Sequence, residues 1–344
     1  MTSFIQTRVH GNVAEIVLDR PRALNALDAS MIRDIHAALV QWRDDDAIAA
    51  VLVTSSSDRA FCAGGDIKSV RQSALDRDHN AVHKFFSTEY ELNALIANYP
   101  KPYVALIDGH AMGGGLGISV HGSVRVVTEK AVLAMPETAI GFFPDVGASY
   151  FLPRLTGATG MYLGLTGARA SAADAVVTGL ATHFVPSDKL GALADEIRAG
   201  SGGDLDGVLA RYSVDAPASE LKEQLGEIDR VFGSGSVTDM IARLTGDDEW
   251  SKQTREALTT LAPSSLWITA ELVRRGAGLT LQQCLALELV LGAEVTRNAD
   301  FVEGVRAVLV DKDRTPSWNP PSIDDIDAEA IEALFTEITA DLAD

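Results

Sequence analysis

The chain has 344 residues, of which 47% are hydrophobic, 22% charged and 6% aromatic. That is long enough to bury a sizeable core and lies outside the low-hydrophobicity, high-charge range of disordered chains. Forty-eight Asp and Glu against 29 Lys and Arg give a formal net charge of −19, which argues against nucleic acid or an anionic membrane as partner, since both are recognised through basic patches. Two cysteines, Cys62 and Cys284, are too few for a disulfide framework and suit a reducing compartment. No apolar run nears the roughly 18 residues that span a bilayer, and residues 1–11 lack a signal-peptide stretch, so a cytoplasmic location is expected.

Strand signals open the chain. Phe4, Ile5 and Val9 lead into His10-Gly11-Asn12, and Val13, Ile16 and Leu18 follow, which predicts a β-hairpin. Asp28 or Ser30 can cap a helix whose apolar set Met31, Ile32, Ile35, Leu39 and Trp42 has helical spacing. A strand is expected over 48–53, then a polar loop at Ser55-Ser56-Ser57-Asp58. A long amphipathic helix follows over about 79–96, turning Val82, Phe85, Phe86, Leu92, Leu95 and Ile96 inward. The unit then recurs as a buried strand over 103–107, Asp108-Gly109, and small residues entering a helix. Two more short strands are expected over 124–127 and 132–134. Strand-strand-helix units with buried strands imply an α/β architecture with right-handed crossovers.

Strand signals fade after about Asp188. Gly200-Ser201-Gly202-Gly203 and Gly233-Ser234-Gly235-Ser236 read as linkers or helix stops, and helices are expected over 266–273 and 281–293. The boundary falls near residue 200, with an α/β core holding the active site over 1–200 and a helical C-terminal region over 201–344. Beyond Arg314 there is no Lys or Arg, while Asp324, Asp325, Asp327, Glu329, Glu332, Glu337, Asp341 and Asp344 are all acidic. Ile331, Leu334, Phe335 and Ile338 predict an amphipathic helix with its acids in water; an acidic docking tail is the alternative.

The familiar glycine motifs do not fit. Gly113-Gly114-Gly115-Leu116-Gly117 lacks the Gly-Lys-Ser/Thr ending of a P-loop and does not satisfy G-x-G-x-x-G. Gly117-Ile118-Ser119-Val120-His121-Gly122 has His121 where a G-x-S-x-G elbow needs glycine. No His/Cys cluster has zinc spacing, so no metal is expected.

Two loops fit one another better. Ala60-Phe61-Cys62-Ala63-Gly64-Gly65-Asp66 and Met112-Gly113-Gly114-Gly115 each follow a buried strand and lead toward a helix. Without Cβ atoms their N–H groups could both reach one carbonyl oxygen, giving a backbone oxyanion hole; tight strand-to-helix turns need glycine for packing alone. Downstream, Met135-Pro136-Glu137-Thr138 and Phe143-Pro144-Asp145-Val146-Gly147 place two carboxylates in apolar sequence. Such pairs suit acid, base or nucleophilic work. Glu137 could equally cap a turn, and Asp145 could cap a helix over 146–152.

These stretches, with Arg20-Pro21-Arg22-Ala23-Leu24-Asn25-Ala26-Leu27, resemble the enoyl-CoA hydratase/isomerase (crotonase) superfamily. The run from Met112 to Gly122, that from Ala134 to Gly147, Tyr150-Phe-Leu-Pro-Arg154, Ala181-Thr-His-Phe-Val185, Pro263-Ser-Ser-Leu266 and the run from Glu303 to Lys312 are similar to its thioester-hydrolase branch, up to about Pro320. The resemblance implies a ββα-spiral core followed by a mostly α-helical region. It implies hydrolysis of a short branched hydroxyacyl-CoA, 3-hydroxyisobutyryl-CoA, to the hydroxy acid and CoA in valine breakdown. Glu137 then matches the catalytic glutamate, Asp145 an aspartate of the hydrolase branch, and Gly65 and Gly114 the oxyanion donors. Substrate contacts are implied at Glu89, Arg22, Ala23, Ala63, Asp66 and Ile67, with Lys68 and Arg71 beside the nucleotide. Glu89 read alone suits a solvated helix face. The second glutamate of simple hydratases falls here at Gly117. CoA arrives as part of the substrate, so no cofactor is expected, and the family's trimers and hexamers make a homo-oligomer the expected assembly.

Glu137 could attack the thioester to form a mixed anhydride or could deprotonate water. Cys62 is a rival nucleophile, but its place in the turn suits a small buried thiol; His110 and His121 suit packing or hydrogen bonding. Two other functions stand beside hydrolysis: hydration or isomerisation of an enoyl-CoA, which Gly117 disfavours, and a non-catalytic CoA-binding scaffold, which Glu137 and Asp145 disfavour.

Overall fold

The hairpin forms as expected: β1 (Ile5–His10) and β2 (Val13–Leu18) pair antiparallel around Gly11, which takes φ +58°. The computed structural model describes residues 3–200 and 204–341. The strands that follow are β3 (Ala50–Ser55), β4 (Ala60–Cys62), β5 (Tyr103–Ile107), β6 (His110–Met112), β7 (Val124–Val127), β8 (Val132–Ala134), β9 (Ala170–Ser171) and β10 (His183–Phe184). They form a six-stranded sheet in the order β1-β2-β3-β5-β7-β10 and a four-stranded sheet in the order β4-β6-β8-β9. Beyond β2 the first sheet is parallel throughout, and the second is parallel except for β9. From β3 to β8 successive strands therefore alternate between the two sheets, and a loop follows each of the short second-sheet strands β4, β6 and β8.

The chain divides into two compact units. The first comprises Met1–Gly65, Glu91–Ala134 and Arg169–Glu223 and holds both sheets; the second comprises Asp66–Tyr90, Met135–Ala168 and Gln224–Asp344. The boundary near residue 200 separates strand-bearing from helix-only sequence among the described residues, whereas the compact units run across it. Residues 201–203 of the expected linker lie outside the described residues; at 233–236 one helix ends and Ser236 caps the next through a capping box with Asp239.

In the first unit Val13, Ala50, Leu52, Val104, Leu106 and Val126 present one face of the six-stranded sheet to Leu193, Ile197, Val208 and Leu209 of the helices Ser187–Arg198 and Leu205–Tyr212. Val51, Val53, Tyr103, Ala105 and Ile107 are buried too, which explains the unbroken apolar runs of these strands. The helix Ala29–Arg43 starts where Asp28 accepts hydrogen bonds from the Ser30 and Met31 N–H groups. In the second unit the tail forms the helix Ala328–Asp341 with Phe335 and Ile338 buried, and Arg275 pairs with Glu332 at 2.6 Å. The acidic sequence thus makes an amphipathic helix that packs on its own chain; the side chains of Glu337, Asp341 and Asp344 lie outside the described part. No helix among the described residues is long and apolar enough to cross a membrane.

Candidate active site

The glycine loops are built in the first unit. Leu24 and Asn25 both take the left-handed conformation, at φ +51° and +56°, which only local bonding sustains in non-glycine residues. Asn25 supplies it: its side chain accepts from the Arg20 N–H at 2.8 Å and donates to Ser55 Oγ at 2.8 Å and the Phe61 carbonyl at 3.0 Å. The kinked segment then holds the Ala63–Gly65 loop. Ala63 N–H donates to the Leu24 carbonyl at 3.0 Å and Leu27 N–H to the Gly64 carbonyl at 2.8 Å. That pairing uses the Gly64 carbonyl and not the Gly65 amide.

The second loop is pressed against the first. A Cβ on Gly115 would stand 2.3 Å from the Cys62 carbonyl oxygen, and one on Gly64, at φ +105°, would stand 3.2 Å from the Met112 oxygen. Gly114 opens a one-turn helix, Gly114–Gly117, so its N–H has no intrahelical acceptor. The structure thus brings the loops of Gly65 and Gly114 together. Cys62 is fully buried with its thiol 3.1 Å from the Asn25 carbonyl, the packing role rather than an exposed nucleophile. Arg22 is exposed on the kinked segment, with Ala23 and Ala63 half-buried.

The carboxylates belong to the second unit. Glu137 opens the 3-10 turn Glu137–Ile140 without capping it by its side chain, and its Oε2 is buried without a hydrogen-bond partner. Asp145 does not cap the next helix either, which corrects that alternative. The helix is short, Ala148–Phe151, with Gly147 at its N-cap, and the Asp145 carboxylate instead accepts from the Tyr90 hydroxyl at 2.8 Å. Glu89 is 2% exposed, so the solvated-face reading is corrected as well; the neighbouring Glu91 is the exposed one. Glu89 Oε1 is also buried without a partner.

Around these groups the walls are aromatic. Phe86 stacks on Phe142 at 5.3 Å between ring centroids, Phe142 on Phe143 at 4.4 Å, and Tyr90 lies 5.9 Å from Phe86. Burial therefore dominates the acid chemistry. It pushes Asp145 up to about 7, against the Tyr90 hydrogen bond that favours the ionised form. Burial, then the neighbouring Asp145 charge, pushes Glu137 and Glu89 well above the usual carboxylate range. Among the described residues none of the three has an ion-pair partner, and none of their groupings could hold a metal ion. Asp66 stands at the N-cap of the helix Ile67–Leu75, which Ile67 and Lys68 begin and in which half-buried Arg71 donates to the Val302 carbonyl at 2.9 Å.

Sequence reasoning missed Tyr90, Asn25 and Glu288. Glu288, wholly buried, accepts from the Gly147 and Ser149 N–H groups. A lone acid inside the apolar run 284–292 was the available signal for it.

Strands alternating between two sheets, glycine loops at the ends of the short strands and isolated buried carboxylates define the crotonase fold. The structure superimposes on a carnitinyl-CoA dehydratase from Mycobacterium thermoresistibile with a TM-score of 0.92 at 39% identity, covering 97% of this chain and 96% of that one. An enoyl-CoA hydratase from Rhodobacter sphaeroides 2.4.1 gives 0.90 at 36%, covering 97% of each. The family model "Enoyl-CoA hydratase/isomerase" matches residues 13–335, and the chain belongs to that family. Curated relatives named 3-hydroxyisobutyryl-CoA hydrolase, mitochondrial, are 42% identical in Xenopus laevis, over 95% of this chain and 87% of that protein, and 41% identical in Mus musculus, over 94% and 86%.

Proposed function

We propose that the chain hydrolyses 3-hydroxyisobutyryl-CoA to 3-hydroxyisobutyrate and CoA, a step of valine breakdown. The observation that carries this reading is Glu137, buried with an unpartnered oxygen and a raised pKa beside the charge of Asp145. Such a group, once ionised, is a stronger base and nucleophile than an exposed glutamate. Its carboxylate adds to the thioester carbonyl or takes a proton from the water that does, and the oxyanion is received by the N–H groups of Gly65 and Gly114. Collapse expels the CoA thiolate: on the general-base route it takes the proton that Glu137 removed from water, and on the nucleophilic route water then cleaves the mixed anhydride, which releases 3-hydroxyisobutyrate, restores the Glu137 carboxylate and supplies the proton to the thiolate.

Asp145 contacts the substrate's 3-hydroxyl while Tyr90 holds its other side. Glu89 retains its proton to higher pH than an exposed glutamate and serves as a hydrogen-bond donor to the substrate. Arg22, Ala23, Ala63, Asp66 and Ile67 line the CoA path, an assignment supported by the family resemblance alone. CoA comes with the substrate and no separate cofactor takes part. A homo-oligomer and a cytoplasmic, reducing location complete the proposal; neither cysteine is in a disulfide, while the animal relatives are named mitochondrial.

The structural neighbours bear dehydratase and hydratase names, which keeps hydration in view as the rival. Against it stands buried Gly117, at the place where simple hydratases resemble one another in a second glutamate. A thiol-trapping assay separates the two. Release of CoA from 3-hydroxyisobutyryl-CoA, with no loss of crotonyl-CoA absorbance, is expected; the converse sinks the hydrolase reading.

A further inference from the structure

Asp145 stands at the head of a strained turn. Val146, β-branched and 1% exposed, takes φ +53°, and Gly147 after it takes φ +83°. A β-branched residue in the left-handed region is an outlier that persists only where its surroundings over-determine it. The turn feeds the helix Ala148–Phe151, whose N-cap is a glycine with no side chain to receive the first amides.

Glu288, on the helix Leu281–Val295, supplies the missing acceptor. Its Oε2 accepts from Gly147 N–H at 2.7 Å, and its Oε1 accepts from Ser149 N–H at 3.0 Å and from the Ser149 hydroxyl at 2.5 Å. The residue is 0% exposed and, among the described residues, has no ion-pair partner. Leucine would fill such a site at lower desolvation cost, so packing alone does not account for a carboxylate there. From the opposite side, Tyr90 fixes the Asp145 carboxylate at 2.8 Å.

We propose that Glu288 is a positioning residue, clamping the 145–149 turn so that Asp145 meets the substrate's 3-hydroxyl at a fixed geometry. The inference rests on the reading of Asp145 as the hydroxyl contact. Glutamine at 288 presents an amide N–H₂ to at least one of three donors and breaks the clamp without changing shape.

The test compares kcat/KM for 3-hydroxyisobutyryl-CoA and for isobutyryl-CoA, which lacks the hydroxyl. In Glu288→Gln the preference for the hydroxylated substrate is expected to fall about tenfold or more, the scale of a displaced contact group. In Ser149→Ala, which deletes one donor of three, it falls less. In an Asp145→Asn background Glu288→Gln changes the preference no further. Equal losses for both substrates, or a further fall in the Asp145→Asn background, overturn the proposal. If Glu288→Gln does not fold, an unchanged preference in Ser149→Ala does the same. A wild-type enzyme with no preference at all removes the reading of Asp145 and this inference with it. A wild-type preference kept intact in Glu288→Gln removes the inference alone.

Discussion

At Gly115 a single methyl group would lie 2.3 Å from a backbone oxygen, while at Glu137 an entire carboxylate is buried with one oxygen lacking a partner. The glycine loops of the first unit are held by close backbone contacts, and under the proposed function the same contacts aim their amides, so stability and function rise together there. In the second unit Glu89, Glu137 and Asp145 are desolvated and charge one another's surroundings. Burying them costs stability, and under the proposed function that cost is the familiar opposition of stability and activity at a site.

The sharpest way to break that contrast is a pair of substitutions. Gly115→Ala forces backbone to move and is expected to lower the melting temperature by more than about 5 °C or to prevent folding, abolishing turnover with it. Glu137→Gln is expected to lower kcat at least about a hundredfold with a melting temperature equal to or above that of the unaltered protein, because a buried group whose ionisation burial opposes has been replaced by one that does not titrate. Melting curves and turnover on both proteins decide it. A Gln variant that melts far lower, or an Ala variant that keeps both properties, ends the comparison.

Asp145→Asn tests the second unit through pH. Asp145 rises from 3.8 to about 7 on folding, so between those values the folded state binds more protons than the unfolded one and stability falls as pH rises. Asparagine does not titrate and still accepts from Tyr90. The variant should match the parent below about pH 4 and gain on it up to about pH 7, by on the order of a few kcal/mol. Denaturant titrations across pH 4–8 measure this; a constant difference would deny Asp145 its raised pKa. The same change removes a neighbouring charge from Glu137 and should move the acid limb of the rate profile to lower pH.

Legibility followed the same division. Strands 124–127 and 132–134 form over the residues expected, since short β-branched runs between turns leave few alternatives. The strand read over 48–53 lies instead at Ala50–Ser55. Ile48 N–H is taken by the Asp45 carbonyl, and Ser55 is drawn into register opposite Leu18. Glycine loops announce themselves because the requirement is local. Burial of Glu89 but not Glu91 is fixed by what packs on the helix His79–Ala97, which no local pattern encodes. Tyr90 and Glu288 become meaningful only through partners 55 and 141 residues away.

The smallest expected effect falls on the cysteine of the first loop. Cys62 is the last residue of β4, at 0% exposure, and a Cβ built on Gly115 would stand 3.0 Å from its own Cβ. That crowding leaves a substrate no approach to the sulfur, and the 3.1 Å contact to the Asn25 carbonyl fixes the thiol as part of the packing that supports the loop. Alanine keeps the Cβ and deletes only the sulfur, so Cys62→Ala should cost about 1 kcal/mol of stability and leave kcat within about twofold, since no transition-state contact is lost. Steady-state kinetics beside a melting curve measure both. A loss of kcat approaching that of Glu137→Gln would move the nucleophile into the glycine loop and reverse the roles given to the two regions.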